Sequence, residues 1–368
     1  MKILISYLTG LGNTILFLPT LRTLRQQFPE AAIDVIVRHQ ASKEILERIG
    51  CCREILVFNP SIHRTFFERI EFFREFRRKC YDVSLTAFPS NRAEFNLFSF
   101  LAGARRRIAP KYRVGYWQTC AFLQTEFVDM RADLHEVEEN LLLLNPLGVQ
   151  RELGAENKTG FPLTPEEQLY ADQFLEASEC TSSDILIGFH PGCNPAQGNL
   201  YRRWPTASFA ELGDRLIEAF GAKILIGFGG PEETPLLEEI VRLMTHQPIQ
   251  TEPVSIFNTA ALMKKCCLFV AADSGLMHLS TAMNVPTVSL SGPIDSRRNA
   301  PYGTGHTLIK ADLPCVPCNT YPHEQYGGSY IRCIYDGDRQ GACMQSISAD
   351  HVFERIVEMY SDRLVSRK

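Results

Sequence analysis

Apolar runs of strand length alternate with amphipathic runs of helical length along almost the whole chain, and this alternation limits the fold more than any other feature. At the start of the chain, KILISYL has the pattern of a strand, PTLRTLRQQF that of a helix and AIDVIV that of a second strand. The pattern starts again after residue 165. Strands that alternate with helices form parallel sheets covered on both faces. The sequence therefore predicts an α/β fold of doubly wound, Rossmann-like sheets, with later strands at 184–192, 222–230, 267–275, 285–293 and 306–310.

The length of the chain and a polar interruption near its middle predict two domains. Its 368 residues exceed the usual size of one hydrophobic core. Residues 150–164 contain glycine and proline and show no sustained period, as is typical of a linker. We expect an N-terminal domain over 1–160, a C-terminal domain over 165–348 and a helix over 349–364.

Composition excludes several classes of protein. The formal net charge is −4, with basic residues spread throughout, so we expect no nucleic-acid partner. No apolar run approaches the ~18 residues needed to span a bilayer, and the opening run is a strand rather than a signal peptide. Eight of the twelve cysteines are scattered among apolar neighbours and are expected to be reduced core residues. These observations predict a cytoplasmic protein.

Glycine turns follow several predicted strands, and such turns let a phosphate reach the free N–H groups at the start of the next helix. In ADSGLMHLSTAMNVP, Asp273 or Ser274 would cap the helix, Gly275 would admit a diphosphate and His278 would lie one turn further on. The alternative is an ordinary capped helix with a packed histidine. Similarly, the arginine pair in YRRWP suits either an anionic ligand or solvent.

The first glycine turn, TGLGN, resembles the start of a dinucleotide-binding fingerprint. That fingerprint requires a third glycine at position 15, where the chain has Ile15. A Rossmann oxidoreductase is therefore disfavoured.

The order of these pieces resembles glycosyltransferase family 9, the ADP-heptose heptosyltransferases. GLGNTILFLPTLRTLRQQFP is followed by HPG, RRWP, GFGGPEE, ADSGLMHLSTAMNVPTVSLSGP and a Cys-rich tail. The resemblance implies a GT-B fold, in which two Rossmann-like domains face each other across a cleft. The first would hold the acceptor and the second the nucleotide-sugar, with the C-terminal helix returning toward the first.

The resemblance also implies an inverting transfer of a sugar, with ADP-heptose as the expected donor of a heptose, to a hydroxyl of the lipopolysaccharide core or another glycan. No catalytic metal is expected, since helix N-termini and arginines stabilise the departing diphosphate. A protein O-heptosyltransferase of the autotransporter-modifying type is the alternative acceptor class. The donor-binding residues implied by the family pattern are Arg202, Glu232, Asp273, Ser274, Gly275, Leu276 and His278.

The turn at Gly12 and Asn13 departs from the family pattern. In the family, an aspartate proposed as catalytic base follows this glycine, and an asparagine amide does not accept a proton near neutral pH. Three explanations stay open: Asn13 orients the acceptor while another carboxylate or histidine is the base; the acceptor needs little deprotonation; or the protein binds a nucleotide-sugar without turnover. Asn13 could also simply cap its helix.

The tail over 315–343 holds four grouped cysteines, with a C-x2-C spacing between the first two. Thiolates in this number suit a tetrahedral zinc or iron centre, and two disulfides or free thiols are the alternatives. The tail resembles the cysteine finger of the heptosyltransferases that modify autotransporters, where the metal is structural. The predicted ligands are Cys315, Cys318, Cys333 and Cys343.

Two basic segments are candidates for contact with a membrane or a lipid-linked acceptor. The helix over 64–79 carries a phenylalanine stripe with Arg69, Arg74, Arg77 and Arg78, and the segment 103–113 contains GARRRIAPKYR. Interfacial helices combine these residue types, but packing against a sheet with solvated arginines is the ordinary alternative. The first interpretation predicts peripheral contact at the inner face of the membrane.

Overall fold

The computed structural model describes residues 1–58, 65–131, 133–150, 159–193, 200–318, 333–335 and 337–365. Within this part, the chain divides into two compact units, one up to Phe161 and one from Pro162 onward. Each is built around its own parallel sheet of six strands. No helix of the described residues combines the length and apolar character that crossing a bilayer requires.

The first unit has the strand order β3-β2-β1-β4-β5-β6, so the order reverses between β1 and β4. Ile3 of β1 lies opposite Ile33 on one side and Val83 on the other. All six strands are parallel, as the alternation of strands and helices predicts. The strands are β1 (Lys2–Leu8), β2 (Ala32–Val37), β3 (Glu54–Val57), β4 (Val83–Thr86), β5 (Arg106–Lys111) and β6 (Glu126–Asp129).

Five helices in the described part of the first unit connect or cover these strands. Apolar side chains of β1, β2 and the helices form a shared core that includes Leu4, Ile36 and Phe95. The helices are α1 (Leu11–Gln27), α2 (Gln40–Ile49), α3 (Phe66–Arg78), α4 (Ala93–Leu101) and α5 (Glu136–Leu142).

The predicted helix over 64–79 is α3, and its described aromatic side chains pack inward. A reciprocal pair of hydrogen bonds between Thr65 and Glu68 caps its N-terminus. Phe76 is fully buried, and Phe73 packs against the same core. The side chains of Phe66, Phe67 and Arg69 lie outside the described part. The stripe on α3 is thus used in the core, while Arg74, Arg77 and Arg78 are exposed.

The segment 103–113 contributes strand β5, which the local sequence pattern does not predict. Arg106 forms a two-point ion pair with Glu126 of β6, at 2.7 and 2.8 Å. Arg107 donates to the carbonyl oxygens of Leu123 and Ala104. These two arginines therefore hold the sheet edge, which explains why a basic run lies in a strand.

The second unit repeats the arrangement with the order β12-β11-β10-β7-β8-β9, which reverses between β7 and β10. Val270 of β10 lies opposite Phe189 and Val288. The five strands predicted in this half are present, and the short β9 is additional. The strands are β7 (Leu186–His190), β8 (Lys223–Ile226), β9 (Ile249–Gln250), β10 (Leu268–Ala272), β11 (Thr287–Ser291) and β12 (Thr307–Lys310).

Eight helices lie in the described part of this unit. The C-terminal helix packs against α7, and its apolar residues Val352, Ile356 and Tyr360 join the core of the second unit. Trp204, which is buried, donates its indole N–H to the carbonyl of Ile347 at 2.7 Å. The helices are α6 (Pro165–Ala177), α7 (Thr206–Phe220), α8 (Thr234–Leu243), α9 (Ile256–Lys265), α10 (Gly275–Ala282), α11 (Ser296–Asn299), α12 (Ala342–Gln345) and α13 (Ala349–Tyr360).

Candidate active site

The turn after β10 lies where the strand order of the second unit reverses, the position at which open α/β sheets bind ligands. Ser274 caps α10, because its hydroxyl accepts the N–H of Met277 at 3.3 Å. Gly275 and Leu276, in the first turn of α10, are partly exposed. The N–H groups of this turn and the positive end of the helix dipole favour an anion.

Asp273 and Arg202 form an ion pair beside this turn. The guanidinium nitrogen of Arg202 lies 3.3 Å from the carboxylate of Asp273, whose other oxygen accepts a hydrogen bond from the Asn299 side chain at 2.6 Å. Burial raises the pKa of Asp273, and the charge of Arg202 and the hydrogen bond from Asn299 offset only part of that rise. Arg202 is therefore held beside the start of α10 by a buried carboxylate.

His278 lies one turn into α10 and is buried. Burial lowers the pKa of His278 to about 4, so the imidazole is neutral at pH 7. Its Nδ1 atom makes no hydrogen bond to any described residue, and neither do the Nε atoms of Arg202 and Arg203. These buried nitrogens satisfy their hydrogen-bonding capacity only if a polar ligand or water reaches them.

A second buried group, His190 and Glu233, adjoins the same turn, and the sequence patterns identify neither residue. His190, the last residue of β7, lies 3.1 Å from the Ser274 hydroxyl through Nδ1 and 3.0 Å from a Glu233 oxygen through Nε2. Burial acts to raise the pKa of Glu233, but the hydrogen bond from His190 and the charges of His190 and Arg203 lower it overall. Glu233 therefore carries its negative charge inside the unit at neutral pH.

Two glycines make room for the Glu233 carboxylate. A Cβ atom at Gly192 would lie 1.9 Å from one carboxylate oxygen, and one at Gly229 would lie 1.7 Å from the other. The glycines of the HPG and GFGG segments thus admit a charged side chain at close range. Glu232, the residue that the family resemblance implies, is exposed, and its neighbour Glu233 is the buried one.

The turn after β1 is the matching position in the first unit, next to β4. Gly10 is the N-cap of α1 and no described side chain caps this helix, so the interpretation of Asn13 as a simple cap is wrong. Instead, the Asn13 amide donates to a carboxylate oxygen of Glu136 at 2.9 Å. Gly12 and Asn13 are partly exposed, whereas Glu136 is 4% exposed. The first unit therefore does place a carboxylate at this turn, supplied by α5.

Asn140 fixes α5 to the end of β4. Its side chain accepts the N–H of Phe88 at 2.9 Å and donates to the carbonyl of Phe88 at 3.1 Å. It also donates to the carbonyl of Glu136 at 3.0 Å. These bonds position the first turn of α5 relative to the carboxyl end of the sheet.

A pocket next to this region is lined by both aromatic and polar side chains. The Tyr112 hydroxyl accepts the N–H of Ser90 at 2.7 Å, which joins the loop after β4 to the end of β5. Aromatic rings with a few hydrogen-bonding groups are typical of sites for small polar ligands. The pocket is lined by Ser90, Asn96, Lys111, Tyr112, Tyr116 and Phe127, among others.

The four tail cysteines are described, although most of the tail between them is not. Burial raises the pKa of Cys343 to about 11, and the charges of Cys318, Cys315 and Cys333 add to the rise. The thiol of Cys333 accepts the N–H of Gly341 at 3.4 Å. The twelve cysteines, all described, form no disulfide with one another. Within the described part, no three His, Cys, Asp or Glu side chains already have the geometry of a metal site.

Comparison with known proteins shows the family of this chain. Residues 69–326 match the family model described as glycosyltransferase family 9 (heptosyltransferase). Lipooligosaccharide heptosyltransferase 2 of Haemophilus ducreyi is 26% identical over 344 residues, covering 84% of this chain and 88% of that one. The same-named protein of Campylobacter jejuni is 25% identical over 181 residues, 47% of this chain, and this match spans about half of that relative, 51%.

Solved structures show the same fold. The E. coli ADP-heptose lipopolysaccharide heptosyltransferase II has a TM-score of 0.72 at 21% identity, with 99% of this chain and 98% of that chain covered. The iron-containing dodecameric glycosyltransferase TibC of enterotoxigenic E. coli has a TM-score of 0.53 at 14% identity, with coverage of 98% and 76%. At these identities the likeness concerns the fold alone.

Proposed function

This chain belongs to glycosyltransferase family 9 and has the GT-B fold, and on that premise we propose that it transfers a heptose from ADP-heptose to a hydroxyl of a glycan acceptor, with inversion. In the proposed reaction the acceptor oxygen forms a bond to the anomeric carbon while the bond from that carbon to the diphosphate breaks. The electron pair of the broken bond leaves with ADP, and the acceptor hydroxyl loses its proton to a base.

The observation that carries this proposal is the set of donors around the turn after β10. Arg202, the neutral His278 and the first turn of α10 point to one anionic ligand with several acceptor oxygens. Preorganised donors of this kind stabilise charge that develops on a leaving diphosphate without a divalent ion. We propose that the carboxylate of Glu232, which is exposed, accepts hydrogen bonds from the ribose hydroxyls of the donor.

Names of the relatives support a glycan acceptor, since those with the widest coverage are called lipooligosaccharide or lipopolysaccharide heptosyltransferases. The pocket between the ends of β4 and β5, with Tyr112 in its wall, is the proposed place for an acceptor sugar. Transfer to a protein hydroxyl is the second candidate, and it follows only from the cysteine tail.

Nucleotide binding followed by transfer tests the proposal. Thermal unfolding would be measured with ADP, UDP, GDP and NAD, each at about a hundredfold excess over its dissociation constant, where a true ligand adds ~2.7 kcal/mol to the free energy of unfolding. Of these four ligands, only ADP should stabilise the protein. In a separate transfer assay, the protein should release ADP when it is given ADP-heptose and a heptose-deficient core oligosaccharide. Arg202→Ala should lose most of the ADP effect, while Arg242→Ala, an exposed arginine on α8, should keep it. Stabilisation by NAD alone would overturn the proposal.

We further propose that the four tail cysteines hold a structural zinc or iron ion. The grouping of the four cysteines in one tail supports it, as does the likeness in fold to TibC, which is described as iron-containing. Thiolates bind such ions, so binding of the metal would release the protons that these thiols carry.

Elemental analysis of protein purified without chelator should find close to one equivalent of metal, and Cys318→Ser should abolish metal binding. Cys80→Ser, at an exposed site in the first unit, should not. Less than a tenth of an equivalent in the unaltered protein would contradict this proposal.

We also propose that the protein works in the cytoplasm, at the inner face of the membrane. The support is an exposed aromatic cluster in the first unit. Trp117 is 72% exposed, and its ring centroid lies 5.3 Å from that of Tyr116 and 5.5 Å from that of Phe122, with the exposed Arg113 nearby in the chain. Such residues favour the interface of an anionic bilayer.

Phosphatidylglycerol vesicles should bind the protein in a sedimentation assay, and Trp117→Ala should weaken this binding severalfold. Leu169→Ala, an exposed apolar residue of the second unit, is the control, and equal effects would contradict the proposal.

A further inference from the structure

Asn13 and Glu136 are 123 positions apart in the chain, but a 2.9 Å hydrogen bond joins them at the carboxyl end of the first sheet. Each belongs to the first turn of a helix, α1 or α5, and these two helices pack against each other. The turn lies beside the point where the strand order reverses, between β1 and β4. A carboxylate therefore sits at the position in this unit where a ligand is expected.

The direction of the hydrogen bond assigns different roles to the two side chains. The amide of Asn13 donates and the carboxylate of Glu136 accepts, so the bond is compatible with an ionised Glu136. The positive end of α5 also favours the anion, since Glu136 is its first residue. An amide has no useful basicity, whereas an ionised carboxylate accepts a proton.

From this geometry we infer that Glu136 is the general base of the transfer and that Asn13 is a positioning residue that holds its carboxylate. The inference rests on the proposed glycosyl transfer, whose acceptor hydroxyl must lose a proton. That proton passes to the Glu136 carboxylate as the acceptor oxygen bonds to the anomeric carbon, and the diphosphate departs with the electron pair of the broken bond. No further reactant is required.

The immediate surroundings fit this role. Glu136 is only 4% exposed, Asn140 holds its backbone carbonyl and Asn13 holds its carboxylate, so both the backbone and the side chain of Glu136 are positioned. Asn13 and Gly12 beside it are partly exposed, which leaves a path for a hydroxyl group. A Cβ at Gly10 would lie 3.0 Å from the Asn13 side-chain oxygen, so the glycine turn lets this amide lie close to the backbone.

The decisive experiment exchanges the two functional groups. Glu136→Gln should lower the turnover number about a hundredfold or more, as loss of a general base does, while ADP still stabilises the protein as before. The double variant N13D/E136Q restores a carboxylate and keeps an amide as its hydrogen-bonding partner, and should recover at least tenfold of the loss. Glu138→Gln, a buried glutamate two residues further on in α5, is the control and should lose far less.

The outcomes separate this inference from the proposed function. If the unaltered protein transfers sugar and Glu136→Gln stays within threefold of it, the inference is wrong and the transferase function stands. Equal losses in Glu136→Gln and Glu138→Gln, or a double variant no better than Glu136→Gln although it unfolds normally, would also overturn it. If the unaltered protein releases no ADP with any acceptor, both fail together.

Discussion

The Glu233 carboxylate lies 3.0 Å from Nε2 of His190, and both side chains are almost fully buried at the ends of neighbouring strands. His190 in turn contacts Ser274, the residue that caps α10. The turn that forms the proposed diphosphate site is thus held in place by a buried, hydrogen-bonded pair of side chains.

Replacing Glu233 by glutamine should destabilise the protein at neutral pH by about 1 to 2 kcal/mol, because the charge-assisted hydrogen bond with His190 becomes a neutral one in a buried site. The pKa of Glu233 is lowered in the folded state, so its contribution is fully present above the ordinary glutamate value of 4.5 and is lost as pH falls through the folded value. Urea unfolding at pH 7 and pH 3.5 should therefore show a smaller difference between the two proteins at pH 3.5 than at pH 7. An equal difference at both values would show that packing, not charge, stabilises the pair.

A methyl group at Gly192 should also destabilise the folded protein, because it would occupy the space of the Glu233 carboxylate. Its Cβ would lie 1.9 Å from the carboxylate of Glu233, so either the carboxylate or the loop must move. We expect Gly192→Ala to cost about 1 to 3 kcal/mol, the usual cost of overpacking. Thermal unfolding measures it. Gly50→Ala is the control, since its Cβ would meet nothing within 4 Å and only its left-handed backbone is strained. A smaller loss at Gly192 than at Gly50 would contradict the view that the carboxylate is tightly held.

The stability of the protein should fall as pH is lowered from 6.5 toward 4, in part because of His278. In the unfolded chain this histidine takes up a proton below its ordinary value of 6.5, but in the folded protein burial lowers its pKa to about 4. Between these two pKa values the unfolded state binds one proton more than the folded state. Lowering the pH over this range therefore removes up to about 3 kcal/mol from the free energy of unfolding. His278→Gln should flatten that part of the curve in chemical denaturation at stepped pH. His351→Gln, which alters an exposed histidine, should leave the slope unchanged.

Local patterns in the sequence predict the fold and the cap of α10 well. Strands β1 and β10 appear where the apolar runs place them, and Ser274 caps α10 as one of two predicted candidates. These features depend on neighbouring residues, which is why pattern and spacing identify them. The short strands β3, β5, β6 and β9 have little apolar periodicity and are recognisable only through their partners in the sheet.

Contacts between distant residues do not follow from such local patterns. Glu232 and Glu233 are adjacent and chemically identical, and only the path of the loop after β8 buries one and exposes the other. His190 is the last residue of the apolar strand β7, and its neighbours in the sequence do not show that it contacts Ser274 and Glu233. The partner of Asn13 lies on α5, whose first turn contains three glutamates, and nothing local distinguishes Glu136 from the other two.

The support of Glu136 by Asn140 gives a final prediction. Asn140 forms three hydrogen bonds, two with the backbone of Phe88 and one with the carbonyl of Glu136, all inside the first unit. Asn140→Ala leaves buried backbone groups without these partners, so we expect a loss of about 2 to 4 kcal/mol in the free energy of unfolding. The Phe88 amide should also exchange its hydrogen faster, as measured by mass spectrometry.

The same change should lower the turnover number more than it lowers ADP affinity, because the first turn of α5 lies in the first unit and the proposed diphosphate site lies in the second. Asn258→Leu, on α9 of the second unit, serves as the control and should cost less than about 1 kcal/mol, as most substitutions outside buried networks do. If Asn140→Ala kept full turnover despite faster exchange at Phe88, then the position of α5 would not matter for transfer. The placement of the base on this helix would then have to be abandoned, since a carboxylate that acts on a proton must be held within hydrogen-bonding reach of it.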